Sequence, residues 1–207
     1  PCMRGIGQLS AINQNGKTNL LVLSSEEEML GIAEYSRESG FSFPYMIKVD
    51  GVPLAALPSV TGKQKDDKIL ALCEQDSDFI LMTFVGSENG SGYEAKNQYE
   101  IEDLRREPDS LFSCDLNGDD LQDVLILSNR DAPVILLADQ KDGWQAVAQD
   151  SVVRKSFMKG LELEKLSKFN DPISKKDRLL VAGDGFVRVI AWVEAVSYTH
   201  LRAHETA

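Results

Sequence analysis

Between residues 115 and 123 the chain reads DLNGDDLQD, and the apolar run VLIL begins at Val124. Asp115, Asn117, Asp119 and Asp123 place side-chain oxygens at spaced positions along this short acidic segment. Calcium is a hard cation that takes six to eight oxygens, which a tight loop supplies from alternating side chains and a backbone carbonyl, here that of Leu121. Three carboxylates around Ca2+ leave a local charge of about −1, so the metal-free loop is expected to be splayed by mutual repulsion. Metal would then order the turn and fix the start of VLIL. A helix-loop-helix calcium site is excluded by counting. Its twelfth loop position must be a bidentate carboxylate on an exiting helix, whereas the twelfth residue from Asp115 is Ile126, in a run that reads as a strand.

Other chemistry has little to work with. Both histidines, His200 and His204, lie in VSYTHLRAHETA, residues 196–207. That stretch resembles the translation of a transposase adapter used in sequencing libraries, so it is expected to be a non-native, disordered tail, with the native sequence stopping near Ala195. Their His-x-x-x-His spacing is therefore set aside as a metal site. Without a native histidine, neither a Ser/His/Asp nor a Cys/His arrangement can form, and no catalytic residue or organic cofactor is expected. Cys2, Cys73 and Cys114 lack Cys-x-x-Cys spacing and read as buried thiols, with a Cys73–Cys114 disulfide left open. Glu26, Glu27 and Glu28 alternate faces if extended, so they cannot converge on one substrate and read as a solvated turn. The GDG at 183–185 reads as a hairpin turn, because strands flank it and no helix follows.

The net charge of −11 argues against nucleic acid and anionic membrane as partners, since both demand Lys and Arg against phosphate. The suspect tail carries one Arg and one Glu, so the balance does not depend on it. No apolar run approaches the roughly 20 residues that cross a bilayer, and no basic, then apolar, leader opens the chain. The chain begins at Pro1 and reads as a cut piece.

The acidic segment must be positioned by something, and the apolar runs say what. LLVLSS from Leu20, ILALCEQ from Ile69, VLILSN from Val124 and LLVAGDG from Leu179 recur at a period of about 50 residues. Each follows a strand-like piece and precedes a polar turn and a second β-rich segment: MLGIAEYS, FILMTFV, APVILLADQ and FVRVIAWVE. In three of the four a Gly-bearing turn and an aromatic-containing segment come next, so Phe41, Tyr93 and Trp144 read as matched packing anchors. Trp192 and Phe84 are expected between sheets. EIEDLRREPD reads as a helical turn or charged linker. Short runs rich in Val, Ile and Phe match strand lengths, and unbroken apolar runs imply burial on both faces. The fold class expected is all-β: a partial β-propeller of about four four-stranded antiparallel blades, the last one incomplete. The blades span approximately 3–51, 52–107, 108–157 and 158–195. A β-sandwich is the competing architecture, but it does not demand a four-fold recurrence.

With strand rhythm and acidic loop together, the chain resembles the FG-GAP or VCBS-type repeats of integrin α-subunits and many bacterial exported proteins. Their calcium loop, D-x-[DN]-x-D-G-x-x-D before an apolar strand, is matched by Asp115, Asn117, Asp119 and Asp123. Asp120 stands where the repeat has Gly, at a position expected to need a left-handed backbone. The equivalent loops read as eroded: AINQNGKTNLLVL keeps Asn13, Asn15, Gly16 and Asn19 but no carboxylate. TGKQKDDKILAL and NDPISKKDRLLVA carry Lys instead, whose ammonium groups could act where a metal would. One calcium and three metal-free blades are expected. The resemblance implies a non-catalytic binding or scaffold module, periplasmic or extracellular, with a protein or glycan partner and no membrane insertion. The alternative is the propeller domain of a larger exported enzyme whose catalytic residues lie outside this piece.

Overall fold

Each unbroken apolar run is the second strand of a four-stranded antiparallel meander, buried on both faces in the first three sheets and on alternate residues in the fourth. The computed structural model describes residues 4–14, 16–59, 68–87, 92–102, 104, 106–141, 143–148, 152, 155–173, 175–194 and 199–206. It divides into two compact units, Pro1–Leu104 and Arg105–Ala207.

In the first unit, one sheet consists of β1 (Gln8–Gln14), β2 (Lys17–Ser24), β3 (Met29–Ala33) and, after the two-stranded ribbon β4 (Tyr35–Ser36) and β5 (Gly40–Phe41), β6 (Tyr45–Ile47). The next is β7 (Val52–Ser59), β8 (Lys68–Gln75), β9 (Asp78–Gly86) and β10 (Tyr93–Glu100), paired in sequence order. The faces of the two sheets share one core, in which Leu21, Leu23, Ile32, Ile69, Ala71 and Phe84 are buried. Each of the Leu, Ile and Phe side chains contributes about 1.5–3 kcal/mol by leaving water. Gln8 fastens the sheets at their inner strands: its amide nitrogen donates to Ala56 O, and Ala56 N–H donates back to its Oε1 at 2.9 Å. Pro53 sits in β7, where the register slips between Pro53 and Ala55, so its missing N–H costs no regular ladder bond.

The second unit holds β11 (Ser110–Cys114), β12 (Asp123–Leu127), β13 (Val134–Ala138) and β14 (Trp144–Ala146), again in sequence order. Two 3-10 turns, Lys155–Met158 and Leu163–Lys165, lead into β15 (Leu166–Asn170), β16 (Asp177–Gly183), β17 (Phe186–Glu194) and β18 (Thr199–Thr206). Leu125, Leu127, Ile135, Leu179, Val181 and Ile190 form the shared core, with Trp192 packed against it. The chain is thus all-β, a partial propeller-like set of four blade-like antiparallel sheets. No helix among the described residues is long and apolar enough to cross a membrane.

Three expectations need correction or refinement. Residues 199–206 are not a disordered tail but β18, paired antiparallel with β17 from Glu194↔Thr199 to Val187↔Thr206, so the fourth sheet has its full four strands. The nine-residue β17 offers an edge of N–H and C=O groups that this segment satisfies. Phe41 is no core anchor: it is 55% exposed on the β4–β5 ribbon, stacked at a tilt against Tyr35. The ribbon displaces the fourth strand to β6, where Tyr45 packs on the core in the role that Phe41 was expected to fill. Tyr93 is buried as expected, Trp144 partly so. The EIEDLRREPD segment contains no helix among its described residues and serves as a linker.

A candidate metal loop in the third blade

The loop 115–122 closes the hairpin of β11 and β12, whose last rung pairs Cys114 with Asp123. β12 is buried at every position, so the apolar strand anchors one end of the loop rigidly. Two backbone positions inside the loop are left-handed, Gly118 at φ 82° and Asp120 at φ 65°. The second is the position where the repeat pattern has Gly, and Asp tolerates it because its short polar side chain bonds locally, at a cost of about 1–2 kcal/mol.

The carboxylates are turned into the loop. Asp115 Oδ1 accepts the N–H of Gly118 at 2.6 Å and of Asp119 at 3.2 Å, and its Oδ2 accepts that of Asp120 at 3.0 Å. Asn117 Oδ1 accepts Asp119 N–H at 3.1 Å, while Asn117 Nδ2 donates to Asp119 Oδ2 at 2.9 Å. Leu121 N–H donates to Asp119 Oδ1 at 2.9 Å. Asp123 is fully buried and staples two segments, accepting Leu116 N–H at 2.8 Å on Oδ2 and Ala138 N–H at 3.0 Å on Oδ1.

Burial pushes the Asp123 carboxyl up to about 7; the two N–H bonds oppose this, and the charges of Asp119 and Asp115 add to it. Asp115 is raised for the same first reason, its three N–H bonds acting against burial and Asp119 with it. Asp119 thus acts on Asp115, and both act on the buried Asp123, at a single hairpin end. The donor set is all oxygen, which suits a hard cation. A carboxylate offers about four lone-pair positions, so two or three accepted N–H bonds do not exhaust it. As the side chains stand, however, no group of three or more His, Cys, Asp or Glu among the described residues is gathered closely enough to hold a metal ion. Asp115, Asn117 and Asp119 share one loop and Asp123 stands at its foot, but hydrogen bonds rather than a shared point hold them together.

The sister turns differ in length and chemistry. In the first blade Ala11 and Asn13 lie within β1 and Asn19 within β2, Gln14 pairs with Lys17, and Gly16 stands between the strands at φ 72°, while Asn15 lies outside the described residues. Thr18 Oγ1 donates to Asn13 Oδ1 at 3.2 Å, and Asn19 Nδ2 to Gln14 Oε1 at 3.4 Å. The turn of the second blade, residues 60–67, lies outside the described residues. In the fourth blade the carboxylate Asp171, directly after β15, is held by Arg178 through both Nε and Nη2.

Sequence reasoning missed the residues that hold the third-blade loop from outside it. Asp177 Oδ2 accepts Asp115 N–H at 3.1 Å, and Asp177 N–H donates to Asp115 O at 2.8 Å. Lys168 Nζ donates to Ser113 O at 3.4 Å and to Gln122 Oε1 at 3.2 Å. The one available signal was positional: Asp177 opens β16 as Asp123 opens β12. Cys73 and Cys114 are both buried and free, with burial pushing the Cys73 thiol up to about 12 and raising Cys114 as well, so neither is a ready nucleophile. Cys2 lies outside the described residues.

The chain matches no protein-family model and no curated protein.

Proposed function

We propose that this chain is part of an FG-GAP/VCBS-like β-propeller, a non-catalytic binding or scaffold module in which one calcium ion staples the third blade. The observation that carries this reading is the presence of Asp115, Asp119 and Asp123 at one hairpin end, where Asp119 adds to the cost of ionising Asp115 and both add to the cost that burial sets on Asp123. Side-chain oxygens of Asp115, Asn117, Asp119 and Asp123 and the carbonyl of Leu121 would hold the ion. A divalent cation supplies charge neutralisation there; the chain's own groups do the rest. Asp115 folds the loop through three backbone N–H groups, and Asp123 ties the loop to β13.

An affinity in the range of about 10⁻⁴ to 10⁻³ M would suit a periplasmic or extracellular setting rich in calcium. The partner would be a protein or a glycan, met on the loops that join the strands. Calorimetric titration of calcium into the full chain tests the metal: one site is expected, absent in Asp119→Ala. Equal heats in the two proteins would remove it.

A further inference from the structure

Asn-Gly occurs at 15–16, 89–90 and 117–118, and of these only Asn117–Gly118 lies wholly within the described residues. The pair is a chemical liability. Glycine lacks the Cβ that would shield its nitrogen, so that nitrogen can attack the carbonyl carbon of the preceding asparagine side chain. A bond forms from Gly118 N to Asn117 Cγ, the Cγ–Nδ2 bond breaks, and Nδ2 leaves as ammonia with the amide proton. Water then opens the five-membered ring to aspartate or isoaspartate. The new bond takes the direction that the N–H holds beforehand, so the reaction is governed by where Gly118 N–H points.

In the closed loop it points elsewhere. Gly118 N–H donates to Asp115 Oδ1 at 2.6 Å, a charge-assisted bond. The other reactant is held as well: Asn117 Oδ1 accepts Asp119 N–H at 3.1 Å and Nδ2 donates to Asp119 Oδ2 at 2.9 Å, so its carbonyl carbon is not free to turn towards Gly118. Asp115 is in turn anchored by the β15–β16 hairpin, its N–H donating to Asp177 Oδ2 at 3.1 Å and its carbonyl accepting Asp177 N–H at 2.8 Å. The stem of Lys176 lies across Gly118, close enough that a Cβ there would sit 2.6 Å from its Cγ. Solvent nonetheless reaches the pair, since Asn117 is half-buried and Gly118 exposed.

We propose that Asn117 is a latent deamidation site and that Asp115 guards it by holding Gly118 N–H away from the Asn117 side chain. With the loop closed the amide survives; each local opening that breaks the bond between Gly118 and Asp115 exposes it to cyclisation. The conversion is one-way. Aspartate at 117 adds a negative charge beside Asp115 and Asp119, and isoaspartate lengthens the backbone by a carbon, so neither product restores the closed loop. The site therefore records how often the loop opens, and it does so whether or not a metal binds there.

The test is peptide mapping by mass spectrometry on the full chain, held in chelator at one mildly alkaline pH, either folded or unfolded in urea. In wild type, deamidation at Asn117 should be at least about tenfold slower in the folded chain, the protection that a hydrogen bond to a carboxylate supplies. A smaller ratio overturns the inference. Asp115→Ala, shown folded by its β-sheet circular dichroism, should speed the folded-state reaction about tenfold or more. Asp123→Asn loosens the foot of the hairpin without touching Gly118 N–H, and should stay within about threefold of wild type. An acceleration in Asp115→Ala below its figure, or an equal one in Asp123→Asn, overturns the guard. If Asp115→Ala does not fold, Asp115→Asn decides in its place, because its neutral acceptor weakens the bond to Gly118. A folded-state rate faster than that of wild type then upholds the inference, and one no faster overturns it.

Discussion

Raising the pH from about 5 to about 8 in a chelator should destabilise the second unit through one residue, Asp123. An ordinary aspartate titrates near 3.8, and in the fold Asp123 is raised to about 7, chiefly by burial. Between those values the folded chain keeps a proton that the unfolded chain has released. Stability from this group is therefore fully present on the acid side and is lost as pH rises towards 7. At 1.36 kcal/mol per unit, the span from pH 5 to 7 costs about 2–3 kcal/mol, and little more is lost by pH 8. That is a large share of the 5–15 kcal/mol typical of a domain. Asp115, raised for the same reason, adds in the same direction. Urea unfolding followed by tryptophan emission isolates this unit, because both tryptophans, Trp144 and Trp192, lie in it. Asp123→Asn is the control. It keeps one acceptor for Leu116 or Ala138 N–H but turns an NH2 towards the other, so it starts about 1–3 kcal/mol lower. Its stability should fall less than the wild type's over the same interval, keeping only the part that Asp115 contributes. Wild-type stability that changes by less than about 0.5 kcal/mol from pH 5 to 8, or an Asn variant with the full wild-type slope, refutes the burial argument.

Three further outcomes follow from the packing. Gly118→Ala should lose about 1–2 kcal/mol in urea unfolding, since φ is 82° and the new Cβ meets the Lys176 stem; the same change at Gly16, also left-handed but with open space around it, should cost only the backbone part. Phe84→Ala removes a fully buried ring from the core shared by β2, β8 and β9, and should cost about 3–5 kcal/mol by chemical denaturation monitored by circular dichroism. Ending the chain at Glu194 removes β18 and bares the edge of β17; size-exclusion chromatography should then show self-association absent from the 207-residue chain, and a clean monomer of undiminished stability would contradict the role given to β18.

How far the fold is legible in the sequence depends on whether a segment's burial shows in its own residues. β2, β8 and β12 are, because burial on both faces demands unbroken apolar runs that no solvent-facing segment needs, and β16, buried only at alternate residues, is legible through its recurrence with them. The left-handed Asp120 is legible too, from a loop pattern that has glycine there. The β4–β5 ribbon is not, since a two-residue strand leaves no periodicity to read, and so Phe41 looked like an anchor when Tyr45 is one. β18 was set aside because of what its residues resemble; its pairing with β17 is set by an open edge. Asp177 and Lys168 were invisible for a different reason: they lie 62 and 55 residues from the backbone atoms they hold, and only docking of the fourth blade brings them there. Arg178, whose guanidinium holds Asp171, was not singled out in the sequence either, since its role depends on the turn that follows β15.

The calcium staple in the third blade is tested most directly by unfolding the full chain in urea at about pH 8, in chelator and again in about 10 mM calcium, with tryptophan emission as the signal. With a dissociation constant of about 10⁻⁴ M, binding should raise the stability of the second unit by about 2.7 kcal/mol, and Asp119→Ala should gain nothing. An unchanged unfolding midpoint in the wild-type chain, or an equal gain in Asp119→Ala, would contradict the staple.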